Sequence, residues 1–180
     1  MNTINEWLRS TKASDVMTHK VVCLRSSDRL ADAVSLFLRD QISGAPVVDD
    51  EGVCVGVLSA TDIVSFEERR ENAPSAGSKL ARRSFDSWAW GAKWWREFGR
   101  VTAEIQPHLE ECVSGYMTRD LVSVTEETPL LVVLRQMVDA HVHRVLVLDN
   151  SRRLRGIVTT MDVLAAALRA GRREPAVSQV

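Results

Sequence analysis

The chain carries 56-GVLSATDIV-64 and, one hundred positions later, 156-GIVTTMDVL-164. Each stretch runs from a glycine through apolar residues to hydroxyl-bearing ones, then to an aspartate followed by apolar residues. The aspartates are Asp62 and Asp162. An acidic residue repeated in one setting, just after what reads as a buried strand, calls for comparing the sequence with itself.

Slid by one hundred, the sequence falls on itself without a gap. Ser14 meets Ser114, Met17 meets Met117, Thr18 meets Thr118, Leu30 meets Leu130, Val47 meets Val147 and Asp49 meets Asp149. Other pairs keep their character, such as Val34 with Leu134 and Ile42 with Val142. A chance match of one apolar run would not hold register through turns, so the chain contains a duplication. The copies are expected at 14–67 and 114–170. An N-terminal segment (1–13) precedes them, a long connection (68–113) joins them, and a disordered tail (171–180) follows.

Both copies read strand–helix–strand–strand–helix, an α+β fold. VVCL (21–24) and LVSV (121–124) suit short strands. Ser27 or Asp28 is expected to cap a helix over 29–40. Thr128 is expected to cap its counterpart, with Pro129 at the first position. Leu30, Ala33, Val34, Phe37 and Leu38 line one helix face, and Leu130, Val133, Leu134, Met137 and Val138 the other. APVVDD (45–50) with CVGVLS (54–59), and RVLVLDN (144–150) with LRGIVT (154–159), give the paired strands. The last helix opens at the hydroxyl–aspartate segment. A half of about 50 residues buries little alone, so the halves are expected to pack about a pseudo-twofold axis.

Bulk properties narrow the function. Apolar residues make up 45% of the 180 positions, enough for a core. The net charge of −1 gives no general attraction for nucleic acid. Cys23, Cys54 and Cys112 are far apart and show no zinc-ligand spacing, which fits reduced thiols in the cytoplasm. No stretch reads as a signal peptide or a membrane span. There is no P-loop, no dinucleotide fingerprint and no nucleophile–base set, so an enzyme is not expected.

The ordered pattern DVMT, VVCL, ISGAPVVDDEGVCVGVLSATDIV, followed by YMT, LVSV, VHRVLVLD, LRGIVTTMDVL, resembles two CBS (cystathionine β-synthase) domains in tandem, a Bateman module. That resemblance implies a regulatory module that binds adenosine derivatives (AMP, ADP, ATP, S-adenosylmethionine or a dinucleotide) in clefts between the repeats. It also implies a homodimer and no required cofactor. Asp62 and Asp162 would then hold ribose hydroxyls, which suits a carboxylate in the first turn of a helix. Ser59, Thr61 and Thr159 would donate to phosphate beside a helix N-terminus. The competing reading is that Ser59 and Thr159 simply cap their helices in a capping box, with the aspartates as first-turn acids.

The copies differ where 42-ISGAP-46 faces 142-VHRVL-146. The second resembles the His-Arg-hydrophobic pattern with which some members of the family approach nucleotide phosphates. His143 and Arg144 would do so here, arginine being suited to bidentate phosphate contact. Ser43 and Gly44 offer no charge at the matching place, Gly44 and Pro46 allow close backbone approach to an adenine ring, and Ala45 between them is a candidate ligand residue too. The alternative to a sensor is a structural or dimerisation module with empty pockets.

The connection is longer than a bare linker needs and holds four of the five tryptophans. Trp90, Trp94, Phe98, Val101 and Ile105 recur at helical spacing, with Trp88 and Trp95 beside them. An amphipathic helix laid on the repeats or on a second copy is expected, and a protein-partner surface is the second reading. Its mixed charge argues against a membrane surface. Such inserts are familiar from free-standing bacterial proteins of this kind. Trp7 and Leu8 are expected on a short helix ahead of the first copy.

Overall fold

The structure, a computed structural model, describes residues 3–64, 96, 98–100, 102 and 109–171. The first copy contributes β1 (Leu24–Arg25), β2 (Gly44–Val48) and β3 (Cys54–Ser59). The second contributes β4 (Ser123–Val124), β5 (Arg144–Leu148) and β6 (Leu154–Thr159). Helix α1 (Thr3–Ser10) and the short α2 (Ala13–Val16) lead the chain. Helix α3 (Leu30–Asp40) joins β1 to β2, α4 (Leu130–Asp139) joins β4 to β5, and α5 (Thr160–Gly171) follows β6. Residues 60–64 are helical in the place equivalent to the start of α5.

Each copy forms a three-stranded sheet, β1-β2-β3 or β4-β5-β6. The first pair of strands in each is parallel and the second antiparallel. Parallel neighbours need a crossover, which α3 and α4 supply. The strand–helix–strand–strand–helix order is the one the sequence implied. The first strands are shorter than expected: Val21 and Val22 lie outside β1, and Val22 is exposed. The apolar helix faces are also narrower than the spacing implied, because Leu38 and Val138, near the helix ends, are exposed.

The compact units do not coincide with the copies. One unit comprises Met1–Val21 with Val122–Val180; the other is Val22–Leu121. They are called here the Asp162 unit and the Asp62 unit. The segment that leads the first copy therefore packs with the body of the second, and the segment that leads the second packs with the body of the first. In the Asp162 unit, Ala13, Val16 and Met17 join Val133, Met137, Val145, Val158 and Val163 in one core. In the Asp62 unit, Val113, Tyr116 and Met117 join Leu30, Phe37, Val47, Leu58 and Ile63. Fully burying one such side chain contributes roughly 1.5–3 kcal/mol.

This exchange also starts the helices. Neither α3 nor α4 has a side-chain cap: their N-caps are Arg29 and Pro129. Asp28 instead accepts the N–H of Arg25 at 2.7 Å, and Thr128 that of Thr125 at 3.1 Å. The first-turn donors go to distant carbonyls. Leu30 N–H donates to Glu111 at 2.9 Å, Ala31 N–H to Leu109 at 2.9 Å, and Leu130 N–H to Thr11 at 2.8 Å. Orphan donors at a helix start need a partner, and here it comes from the other copy's leading segment.

The leading segments then close a sheet edge. Thr18 N–H donates to Ile157 O at 2.9 Å and Ile157 N–H returns to Thr18 O at 3.1 Å. Thr118 and Val57 make the same pair at 2.9 Å both ways. The adjacent glycines make room. A Cβ on Gly156 would lie 2.5 Å from Met17 Sδ and 3.1 Å from Thr18 O; on Gly56 it would meet Met117 Sδ and Thr118 O at the same distances.

Phe98, from the long connection, is fully buried in the Asp62 core, within a helical stretch at 98–100. Trp88, Trp90, Trp94, Trp95, Val101 and Ile105 lie outside the described residues. Ahead of the other leading segment, Trp7 and Leu8 of α1 pack on the Asp162 core. Among the described residues, no helix is long and apolar enough to cross a membrane.

After β5, Asp149 Oδ1 accepts the N–H groups of Ser151 and Arg153 at 2.9 Å, and Oδ2 meets Arg155 at 3.0 Å. The Arg153 N–H foremost, then that of Ser151 and the Arg155 guanidinium, hold this carboxyl below the ordinary carboxylate value. A lowered value stabilises the fold at neutral pH, and that stabilisation is lost as pH falls through it. In an NMR titration Asp149 should ionise below the ordinary value; ionisation at or above it would contradict the turn geometry. Gly56→Ala and Gly156→Ala should each destabilise the protein by about 1–3 kcal/mol in denaturant unfolding, as overpacking does. Unchanged midpoints would mean that the leading segments are not seated there.

Candidate functional site

Two equivalent clusters form where the last strand of each sheet passes into a helix. Ser59 N–H and Oγ–H both donate to Asp62 Oδ2, at 2.8 and 2.6 Å, and Asp62 N–H donates back to Ser59 Oγ at 3.1 Å. Thr159 and Asp162 repeat the arrangement at 2.8, 2.7 and 3.2 Å. This is a reciprocal cap in which the hydroxyl and the carboxylate fix each other. In this arrangement the Ser59 and Thr159 hydroxyls are directed to the aspartates three residues on. Each hydroxyl has one proton, and that proton is committed to the aspartate.

One carboxylate oxygen is thus saturated from within. The other turns to the leading segment of the other copy. Thr18 Oγ1 lies 3.4 Å from Asp162 Oδ1, and Thr118 Oγ1 lies 3.5 Å from Asp62 Oδ1. These are long contacts at the outer limit of hydrogen bonding. They leave Oδ1 with accepting capacity for a further donor. The sequence reading missed Thr18 and Thr118, since neither is near its aspartate in the chain. A signal was present: both threonines keep register under the shift of one hundred.

Sheet register brings the remaining candidates to the same places. Gly44 pairs with Ser59, and Arg144 with Thr159. Ser43 O accepts the N–H of Ala60 at 3.0 Å, and His143 O accepts that of Thr160 at 3.1 Å. Cross-strand partners share a sheet face and residues two apart alternate back to it. Thr18, Ile157, Thr159 and Arg144 therefore stand on one face of the Asp162 sheet. In the Asp62 sheet, Thr118, Val57, Ser59, Gly44 and Pro46 stand on the equivalent face. Ala45 does not join them: it is buried with Val47 and Leu58 in the helix-side core. Thr61 is half-buried, while its counterpart Met161 is 69% exposed. His143 is exposed and Arg144 half-buried.

Each cluster thus offers a fixed carboxylate oxygen with a hydroxyl beside it. Such an oxygen can accept from the hydroxyls of a polyol such as a ribose. One cluster alone carries a guanidinium at the neighbouring strand start, where the other has a glycine.

Known proteins share the sequence pattern and the fold of this chain. The profile of the family described as CBS domain matches residues 13–69 and 113–169. An uncharacterized protein of Methanocaldococcus jannaschii is 26% identical over 155 residues, covering 86% of this chain and 89% of that protein. The chain spans between 23% and 89% of the length of the curated relatives it matches. Among solved structures, CBSX2 in complex with AMP aligns with a TM-score of 0.64 at 23% identity, over 91% of this chain and 100% of that one. The CBS domain pair of protein MJ0100, in complex with 5′-methylthioadenosine and S-adenosyl-L-methionine, aligns with a TM-score of 0.59 at 20% identity, over 91% and 98%.

The cap geometry has a direct consequence. Thr159→Ala should cost about 0.5–2 kcal/mol of stability, the usual worth of such a cap. Thr18→Val, which removes a long and exposed contact, should cost less. Equal losses in chemical denaturation would show that the Thr18 hydroxyl is a structural group on a par with the cap.

Proposed function

The chain belongs to the CBS domain family, and we propose that it is a regulatory module that binds an adenosine-containing ligand and reports it to a partner. The observation that carries this reading is the held carboxylate. In both units Oδ2 is saturated by the cap, while Oδ1 stands beside a threonine hydroxyl with accepting capacity left over. A ribose presents two adjacent hydroxyl donors, which such an oxygen can accept. Relatives of the same fold hold AMP, 5′-methylthioadenosine and S-adenosyl-L-methionine, which supports an adenosine compound as the ligand class.

In this reading Asp62 and Asp162 accept ribose hydroxyls, and Thr118 and Thr18 complete the two sites. His143 and Arg144 approach phosphate in the Asp162 unit. Thr61, Ser43, Gly44 and Pro46, with the Ala45 backbone, line the Asp62 unit, and Ser59 and Thr159 orient the carboxylates. A homodimer and a protein partner met through the tryptophan-rich connection remain part of the proposal. Regulation requires the ligand to bind two states of the module unequally.

One observation favours a second reading, a structural or dimerisation module. The cap accounts for Ser59–Asp62 and Thr159–Asp162 with no ligand at all. Thermal unfolding with AMP, ADP, ATP, NAD or S-adenosylmethionine separates the two. A ligand at one hundred times its dissociation constant should stabilise the fold by about 2.7 kcal/mol. Asp62→Ala and Asp162→Ala should each remove one binding event in calorimetry. No stabilisation by any of these compounds would leave the structural module as the better account.

A further inference from the structure

We infer that the two sites select ligands of different charge: the Asp162 unit takes an adenosine ligand with a polyphosphate, and the Asp62 unit takes one with little or no negative charge. The inference rests on the adenosine-binding reading above and adds which ligand goes where. It comes from the exchange of leading segments, which redistributes charge in a way the linear sequence hides.

In the hundred-residue register, Lys20 stands opposite Asp120, and Arg144 opposite Gly44. By sequence alone, Lys20 belongs to the copy that holds Asp62, and Asp120 to the copy that holds Asp162. The compact units reverse this. Residues up to Val21 pack with the body that contains Asp162, and residues up to Leu121 with the body that contains Asp62. Lys20 follows two residues after Thr18, whose hydroxyl meets Asp162. Asp120 follows two residues after Thr118, whose hydroxyl meets Asp62. Both are exposed.

Among the described residues of the Asp162 unit, Arg144 stands across the strands from Thr159 and Lys20 lies two residues beyond Thr18, so two cations accompany the one carboxylate, with His19 and His143 next to them in the chain. Among the described residues of the Asp62 unit, Gly44 stands where the other has Arg144, and Arg119 and Asp120 follow Thr118, so a second carboxylate and one cation accompany Asp62. The Arg119 guanidinium already donates to Ser114 O at 3.2 Å. Two cations beside one acid suit a di- or triphosphate, with Arg144 as the bidentate contact and Lys20 as a point charge. Two acids beside one tethered cation repel a polyphosphate and tolerate a neutral or cationic 5′ substituent. Rejection of the wrong charge is as much a source of selectivity as attraction of the right one.

Calorimetric titration of the full chain with ATP and with 5′-methylthioadenosine tests this. Lys20→Gln and Arg144→Gln should each weaken ATP by about tenfold or more, the worth of one hydrogen bond to a charged group. Both should leave 5′-methylthioadenosine unchanged. Asp162→Ala should abolish ATP binding, Asp62→Ala that of 5′-methylthioadenosine, and Asp120→Lys should open a second ATP site. The inference is overturned if Lys20→Gln leaves ATP untouched, if it weakens both ligands equally, or if Asp62→Ala is what abolishes ATP. Lys20 is exposed, so its variant keeps the test sound should Arg144→Gln disturb the sheet. Binding of both compounds without this pattern refutes the charge selection and spares the adenosine reading. Binding of neither refutes both.

Discussion

The paired hydrogen bonds between Thr18 and Ile157, and their twin between Thr118 and Val57, decide what each unit of this chain is made of. A three-stranded sheet has two edges, and an unpaired edge is a liability. Here the outer edge of β3 and of β6 is met by a short segment from the other copy. Gly56 and Gly156 allow that segment to approach so closely. Met117 and Met17 then drop beside the glycines, and Val113 and Ala13 enter the cores. The same segments supply carbonyls to helix starts that carry no side-chain cap. A single copy lacks all three of these contributions. That is a physical reason for finding the copies as a pair in one chain.

The same constraint builds the two carboxylate clusters. Cap and exchange act on the two oxygens of one carboxylate: the cap holds Oδ2, and the exchanged threonine stands at Oδ1. Under the proposed function, the carboxylate is oriented before any ligand arrives, which reduces the ordering cost of binding. The geometry is repeated closely in the two units, and the surrounding charges are not. Arg144 stands against Gly44, and Lys20 against Asp120, in an otherwise equal frame. Duplication conserved the carboxylate and its cap, and left the neighbouring charges to diverge.

Much of this was legible in the sequence because it is local. The runs that became β3 and β6 alternate or saturate with apolar residues, and the apolar faces of α3 and α4 follow helical spacing. The capping box was visible as a hydroxyl three residues before an acid. What stayed hidden is non-local. Ser27, Asp28 and Thr128 looked like helix caps by position, yet the donors they would have met are taken by Glu111, Leu109 and Thr11. Val21 and Val22 looked like strand because they are apolar, but the chain leaves one unit and enters the next between them. Ala45 looked like a site residue beside Gly44, although alternation along a strand turns it to the opposite face. Phe98 falls on the apolar stripe of a helix expected to lie on the repeats, and only the choice of the Asp62 core follows from no local pattern.

The exchange itself is the claim on which fold and sites both rest. Residue-resolved amide hydrogen exchange by NMR tests it most directly. The account predicts that Thr18 and Thr118 are protected to the same degree as Ile157 and Val57, since each pair shares its hydrogen bonds. Exchange at the rate of an open chain at Thr18 and Thr118, with Ile157 and Val57 still protected, would contradict it.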